Sequence, residues 1–334
     1  MKDASRPAFL ITVDTEGDDL WARPREITTR NAAYLPRFQA LCERYGLRPT
    51  YLVTYEMAHS AAFREFAQDL LRRNAGEIGM HLHAWNTPPL VPLTPDDLRH
   101  QPYLVEYPEP VMGEKVRVLT ELLEATFGVK MQSHRAGRWG FNGTYARILI
   151  RHGYLVDCSV TPHVSWQDHP GDPAGSGGPD YTAFPEEPYF IDPEDIRRPG
   201  PSPLLEVPVT IVPSGLPALR PLRRLLARTS PGRRLLRRFL PEVYWLRPDR
   251  RNLPAMLGIV RRAVEEGRAH LEFVVHSSEL MPGGSPLFPT ENHIERLYAD
   301  LEVLFDLVHR TCRAATLAEF YAEFAARRSV GVHA

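Results

Sequence analysis

The sequence predicts an α/β fold, a mainly parallel sheet of about seven strands rolled into a closed or nearly closed barrel with helices outside it. Two observations lead there. Short β-rich apolar runs alternate with segments of helical periodicity, the pattern of repeated strand–helix–strand crossovers. The runs are apolar throughout, as expected of strands covered on both faces. With 334 residues, 43% of them hydrophobic, the chain can bury one large core. Residues 1–334 are therefore read as one barrel domain carrying two interruptions.

The elements follow in order. Ala8 to Asp14 (AFLITVD) reads as a buried strand, and Asn31 to Tyr45 as a helix stopped by Gly46. Arg48 to Thr54 is the second strand, His59 to Asn74 the next helix, and Glu77 to His83 the third strand. Gly113 to Phe127 is helical, with Gly128 as its stop. Lys130 to Arg135 and Tyr154 to Asp157 are strands flanking a helix from Asn142 to His152. Leu204 to Ile211 and Leu271 to His276 complete the seven strands. Helices are expected at Leu253–Glu266, Glu291–His309 and Leu317–Arg327. No internal repeat is present.

Two stretches interrupt this alternation. Residues 165–203 are rich in Pro, Gly and Asp and read as a long surface excursion, the kind of loop that often serves function. Residues 216–251 read as a basic helical insertion, with Arg220, Arg223, Arg224, Arg228, Arg233, Arg234, Arg237 and Arg238 set among leucines. Such a run is either a solvated helical hairpin or a basic amphipathic surface for an anionic membrane or a phosphorylated substrate. Nucleic acid is not expected as a partner, because no base-reading motif accompanies the charge.

The average charge names no partner, since 40 basic and 41 acidic residues leave a net charge of -1. Cys42, Cys158 and Cys312 form no CxxC pair, so neither a disulfide framework nor cysteine ligation of a metal is expected. No apolar run approaches the ~18 residues of a membrane span. Residues 1–7 lack the basic head and apolar centre of a secretory signal. A cytoplasmic protein is expected, with peripheral attachment at the inner membrane face as a variant.

The chemistry collects at strand ends, where parallel α/β folds place their reacting groups. The first strand ends in TVDTEGD, offering Asp14, Glu16 and Asp18. One carboxylate would bind a metal and another would take a proton from water. The third strand ends in HLH, so His81 and His83 share one face at the i, i+2 spacing of a strand. Two neutral imidazoles and a carboxylate suit a transition metal with open positions: zinc first, with nickel, cobalt or manganese as alternatives. Trp85 and Asn86 follow and would wall the site. SHRAGRWG supplies Arg135, to hold a carboxylate ionised, and Arg138 and Trp139, to line a substrate groove. Asp157 ends the fifth strand and His276 the last; a histidine there can protonate a leaving amine when a carboxylate supports it. Together these residues suit metal-assisted hydrolysis. No phosphate-binding glycine loop, GxSxG elbow or Rossmann fingerprint is present.

From Ile11 to about Leu280 the order of these motifs resembles the polysaccharide deacetylase family with the NodB-homology fold. ITVDTEGD resembles its opening motif, EIGMHLH its metal-binding histidine motif and SHRAG its arginine motif. YLVDCS and FVVHSSEL resemble its fourth and last motifs. The resemblance implies a distorted (β/α) barrel of about seven strands, a divalent metal and removal of N- or O-acyl groups from sugars. It implies Asp14 as base, Glu16, His81 and His83 as ligands, Arg135 orienting Asp14, and His276 as acid tuned by Asp157. The oxyanion would rest on the metal and a backbone N–H near Arg138. Thr15 separates the two carboxylates that the family usually has adjacent, a spacing found among its enzymes acting on lipid-linked sugars. The histidines are two apart where the family usually has four, with Trp85 at the usual second position. SSELMPGGSP resembles a subgroup associated with cell-surface glycan and lipopolysaccharide regions. The expected partner is an acylated sugar, a glycan or a lipid-linked sugar. Two other readings are a non-catalytic glycan-binding scaffold and a metal-dependent deformylase or amidase of a non-sugar metabolite.

Overall fold

The protein is described by a computed structural model covering residues 6–214 and 242–331. Most of the basic stretch 216–251 lies outside the described residues. The described strands are β1 (Ala8–Thr15), β2 (Thr50–Val53), β3 (Glu77–Leu82), β4 (Ser133–Ala136), β5 (Val156–Asp157), β6 (Tyr189–Asp192), β7 (Asp195–Pro199), β8 (Leu205–Glu206), β9 (Ile211–Pro213), β10 (Val243–Trp245), β11 (His270–His276) and β12 (Arg313–Ala314).

Seven parallel strands stand in the order β11-β1-β2-β3-β4-β5-β8, and each overlaps one of the seven expected runs. The sheet curls without closing. The seam between β8 and β11 is spanned instead by single bonds from the chain that follows β8. Glu272 N donates to Thr210 Oγ1 (2.8 Å), His270 Nε2 lies 2.8 Å from Pro208 O, and Val274 N donates to Leu246 O (3.2 Å). The expected strand Leu204–Ile211 shortens to β8 because Pro208 has no N–H to give a ladder.

Alternation along β1 sets what faces where. Phe9, Ile11 and Val13 pack outward against the helices, while Ala8 and Leu10 pack with Leu52, Val156 and Leu205 on the barrel side. Leu317 and Phe320 of the C-terminal helix Leu317–Gly331 join that second cluster, closing the barrel at the N-terminal ends of the strands. Thr12 and Asp14 continue the inward face. The interior therefore passes from apolar at the closed end to ionic at the open end along a single strand.

The outer helices bury the expected stripes. Glu109–Phe127 buries Met112, Val116, Leu119, Leu123 and Phe127 and stops at Gly128, whose φ of 69° suits glycine. Glu291–Thr311 brings Phe305 against Phe9, Phe38, Tyr45 and Phe273, with ring centroids 5.9–6.4 Å apart. The excursion 165–203 is more ordered than expected. β6 and β7 form a hairpin whose first strand pairs antiparallel with β8 and extends the sheet. Earlier in the same stretch, Trp166 and His169 reach the open end of the barrel.

Candidate active site

Parallel register brings the strand-end residues together. Asp14 of β1 stands directly beside His276 of β11, and His81 of β3 beside Arg135 of β4. Between them opens a cleft of about 290 Å³, lined by Asp14, Glu16, His81, His83, His276 and a rim of aromatic and arginine side chains.

Arg135 is wholly buried and contacts four other places in the barrel. Nη1 lies 2.5 Å from Asp14 Oδ1, and Nη2 bonds Thr12 Oγ1 (2.9 Å) and Glu272 of β11. Nε donates to the Cys158 carbonyl beyond β5 (3.0 Å). One guanidinium thus faces two carboxylates, and the two respond in opposite directions. Burial raises the Asp14 carboxyl, but Arg135, then His81 and His276, override it and hold it below the usual carboxylate range. Burial raises Glu272 to about 7 against the pull of Arg135, so Asp14 carries the negative charge that the arginine balances.

Glu16, His81 and His83 form a buried group able to hold a metal ion. Glu16 Oε2 lies 3.6 Å from His81 Nε2 and 3.3 Å from His83 Nε2, and the two Nε2 atoms are 3.0 Å apart. Two nitrogens bound tetrahedrally to one zinc ion stand about 3.3 Å apart. The donor set fits on chemistry as well. His81 Nδ1 lies 2.9 Å from the Arg135 carbonyl, which can only accept, so the ring proton sits there and Nε2 offers its lone pair. A second imidazole nitrogen facing that lone pair at 3.0 Å requires a proton or a cation between them. Burial lowers both rings; Asp14 and Glu16 outweigh it for His81 and raise that ring, whereas His83, repelled by a charged His81, stays well below the ordinary histidine value.

Loop geometry aims these groups. The Glu16 backbone is clasped by Ser277 Oγ at its N–H (3.1 Å) and by Asn31 Nδ2 at its carbonyl (2.9 Å). Asp18, the third acid of the first motif, points away from the cleft and accepts from Thr28, Arg30 and Asn31, which folds the loop back. Trp85 stacks on His83, with centroids 4.3 Å apart and planes at 20°. Lys115 fastens the loop behind it, donating to the carbonyls of Ala84, Thr87 and Pro89 at 2.7–2.8 Å. A Cβ on Gly137 would lie 2.5 Å from His83 Cδ2 and from the Leu82 carbonyl, so only glycine lets β4 run this close to the second histidine.

Two expectations are corrected. Asp157 does not support His276. It sits in register with His134, bonds His134 Nδ1 (2.6 Å) and accepts from Ser159, because β5 lies on the side of β4 away from β1. His134 Nε2 in turn meets Tyr145 Oη (2.7 Å), so this is a buried structural chain. The carboxylate beside His276 is Glu279, three residues on. Its Oε2 accepts the His276 backbone N–H (2.9 Å) and lies 3.4 Å from Nδ1. Arg247 Nη2 is 2.7 Å from Glu279 Oε1 and 3.0 Å from His276 Nδ1. An arginine can only donate, so the shorter contact leaves the ring proton on Nε2, which faces Asp14 Oδ2 at 3.5 Å and Glu16 Oε1 at 3.8 Å. Asn86, expected to wall the groove, turns instead to the half-buried Glu56, donating to Oε2 at 2.7 Å while Gly17 N donates to Oε1 at 2.9 Å. It ties the first and third motif loops together and lines no part of the cleft.

Arg138 and Trp139 line the cleft, both with left-handed backbone (φ 54° and 63°). Trp139 is buried, with its ring 5.0 Å from the Arg135 guanidinium. Sequence reasoning missed Trp21, Arg23, Tyr103, Trp166, His169 and Arg247, which complete the rim. Most sit in loops away from strand ends, and only the 165–203 excursion and the 216–251 basic insertion, which holds Arg247, hinted at part of this set.

No protein-family model matches the sequence, and no curated protein matches it significantly. Solved structures do resemble it. A provisionally assigned polysaccharide deacetylase from Mycobacterium smegmatis aligns over 98% of this chain and 93% of its own, at 16% identity and TM-score 0.55. A provisionally assigned glycoside hydrolase/deacetylase from Parabacteroides distasonis aligns over 96% and 71%, at 11% identity and TM-score 0.57. A 4-alpha-glucanotransferase from Thermococcus litoralis aligns over 95% and 40%, at 11% identity and TM-score 0.51.

Gly137→Ala is expected to displace His83 and weaken metal binding about 10–100-fold, the usual effect of disturbing a ligand's support; competition with a chromogenic chelator measures it. A second expectation concerns acid. Burial raises Glu279, but Arg247 and His276 outweigh it and hold the carboxyl at about 2, below its ordinary 4.5. Its contribution to stability is therefore full above pH 4.5 and lost as pH falls toward 2. Urea midpoints between these pH values should fall less steeply in Glu279→Gln than in the parent. These likenesses to solved structures establish the fold: a curled (β/α) barrel of the kind seen in the Mycobacterium smegmatis protein.

Proposed function

We propose that this chain is a metal-dependent deacylase that hydrolyses an N- or O-acyl group, most simply acetyl, from an amino sugar or a glycan precursor. One observation carries the reading. A carboxylate and two imidazole nitrogens converge on one point in an aromatic-rimmed cleft, flanked by an ionised carboxylate on one side and a histidine N–H on the other. The fold shared with the Mycobacterium smegmatis protein supports it, as do the motifs that resemble the polysaccharide deacetylases.

Glu16, His81 and His83 would hold the ion, with zinc the first choice and nickel, cobalt or manganese as alternatives. A divalent ion bound there polarises a carbonyl and lowers the pKa of water. Asp14 acts through Oδ2, since Arg135 occupies Oδ1, and takes a proton from the attacking water. Its depressed pKa makes it a weak base. The proton that Asp14 takes from water passes to the departing nitrogen or oxygen as the acyl bond breaks, while the His276 Nε2–H, 3.5 Å from Asp14 Oδ2, donates a hydrogen bond to that leaving atom, leaving a carboxylic acid and a free amine or hydroxyl. Arg247 and Glu279 hold that ring in orientation. Trp85, Trp139 and the other rim aromatics offer apolar faces for a sugar ring.

Metal analysis and turnover of N-acetyl and N-formyl sugars and non-sugar amides test the proposal together. Asp14→Asn should keep its metal and lose about 10²–10⁴-fold in turnover, as for loss of an acid–base residue. His81→Ala should lose the metal. Loss of metal from Asp14→Asn would make Asp14 a ligand. A parent protein that neither carries nor takes up metal would turn the reading to a glycan-binding scaffold, and preference for formyl amides without sugars to an amidase.

Read from sequence alone, the arginine run from Arg220 to Arg238 suits a lipid-linked substrate presented at an anionic membrane face. Among the described residues no helix is long and apolar enough to cross a membrane. Changing Arg223, Arg224, Arg233 and Arg234 to Glu should weaken sedimentation with phosphatidylglycerol vesicles. Equal sedimentation would remove the membrane partner.

A further inference from the structure

Charge in the cleft does not balance once each pair is assigned. Asp14 is matched by Arg135, Arg247 by Glu279, and Glu16 faces the two histidines. Arg23 and Arg138 remain. Both line the cleft, and neither makes an ion pair with a described carboxylate. Residues 215–241 contain no Asp or Glu, so that stretch cannot neutralise them.

Arg138 is half-buried and held in a way that a solvated surface charge is not, and Arg23 stands exposed at the mouth of the same cleft. The Arg138 guanidinium sits 4.2 Å from the Tyr103 ring centroid, and it bonds only backbone oxygens, those of Gln101 and His169 among them. Arg23 Nη1 donates to the Arg99 carbonyl at 2.6 Å, and the side chain is otherwise open to solvent at the cleft mouth. The nearest acid to Tyr103, Glu106, is engaged by the backbone N–H groups of Tyr103 and Asp172. A half-buried guanidinium with no anion is costly on its own, and arginine forks match carboxylate and phosphate oxygens.

We infer that the cleft selects an acylated sugar bearing an anionic substituent, a carboxylate or a phosphate, which docks against Arg23 and Arg138 while the acyl group lies at Glu16, His81 and His83. The placement of the acyl group rests on the deacylase reading; the anion site stands on the two unmatched arginines. The aromatic rim alone would take a neutral glycan equally well.

The test separates the two claims by measuring binding without turnover. Metal-loaded Asp14→Asn protein is titrated calorimetrically with three N-acetylated sugars of equal size: neutral, carrying a 6-carboxylate, and carrying a 6-phosphate. At least one anionic sugar should bind about tenfold tighter than the neutral one, as for a charge-assisted hydrogen bond, and the advantage should shrink with added salt. The two anionic arms tell carboxylate from phosphate. Arg23→Gln and Arg138→Gln should each move the ratio of anionic to neutral affinity toward one, while Arg138→Lys should restore part of it. Equal affinity for all three sugars overturns the inference, as does an equal loss for neutral and anionic sugars in both glutamine variants. Anion-selective binding without hydrolysis by the parent protein would keep the anion site and overturn the deacylase reading.

Discussion

The buried guanidinium of Arg135 is the interaction on which the rest of the structure depends. It joins β4 to β1 through Asp14 and Thr12, to β11 through Glu272, and to the chain beyond β5 through the Cys158 carbonyl. A sheet that curls without closing needs something at its centre to set the curl, and here a charge does so. Removing one partner of a buried ion pair leaves the other unmatched in low dielectric. The arginine must therefore sit where both carboxylates reach it, and that requirement draws β1, β4 and β11 around one axis. It also keeps Asp14 ionised, while burial holds Glu272 up to about 7 against its pull.

Around that centre the site is built from loops that brace one another. Glu56, Asn31 and Ser277 hold the loop carrying Glu16, and Glu56 passes its second oxygen to Asn86 of the histidine loop. Lys115 and Gly137 hold the histidine loop from behind and from the side. The braces come from segments far apart in sequence. A metal ligand set is useful only when its atoms stay within tenths of an ångström of their places, and several short bonds from different directions achieve that better than one long packed surface.

The seven parallel strands were legible because most are apolar runs of the right length between turn signals, and β4, which is polar (SHRA), follows a helix stop at Gly128. The strand-end residues were legible for the same reason: a motif at the end of a strand has a known position in a parallel barrel. Asp157 and Asn86 were misread because the sequence gives order along the chain but not direction across the sheet. Asp157, on β5, is held by its own register partner, His134, and β5 stands several strands from β11 in the sheet. Glu279 was hidden in SSEL, since an acid three residues past a strand reads as a helix cap. Trp166 and His169 were hidden in a Pro- and Gly-rich excursion with no periodicity to place them.

The sequence by itself determined the barrel, its seven parallel strands along the chain, and the candidate donors Asp14, Glu16, His81, His83 and His276, because hydrophobic period and strand-end position are local properties. Only the tertiary structure decided which of those side chains meet. It showed that an i, i+2 histidine pair brings both Nε2 atoms beside one carboxylate, that Glu279 and Arg247 rather than Asp157 set the His276 ring, and that two arginines on the rim lack counter-charges. Those outcomes depend on register between strands and on loops crossing from distant segments, distances of a few ångströms that no local pattern encodes.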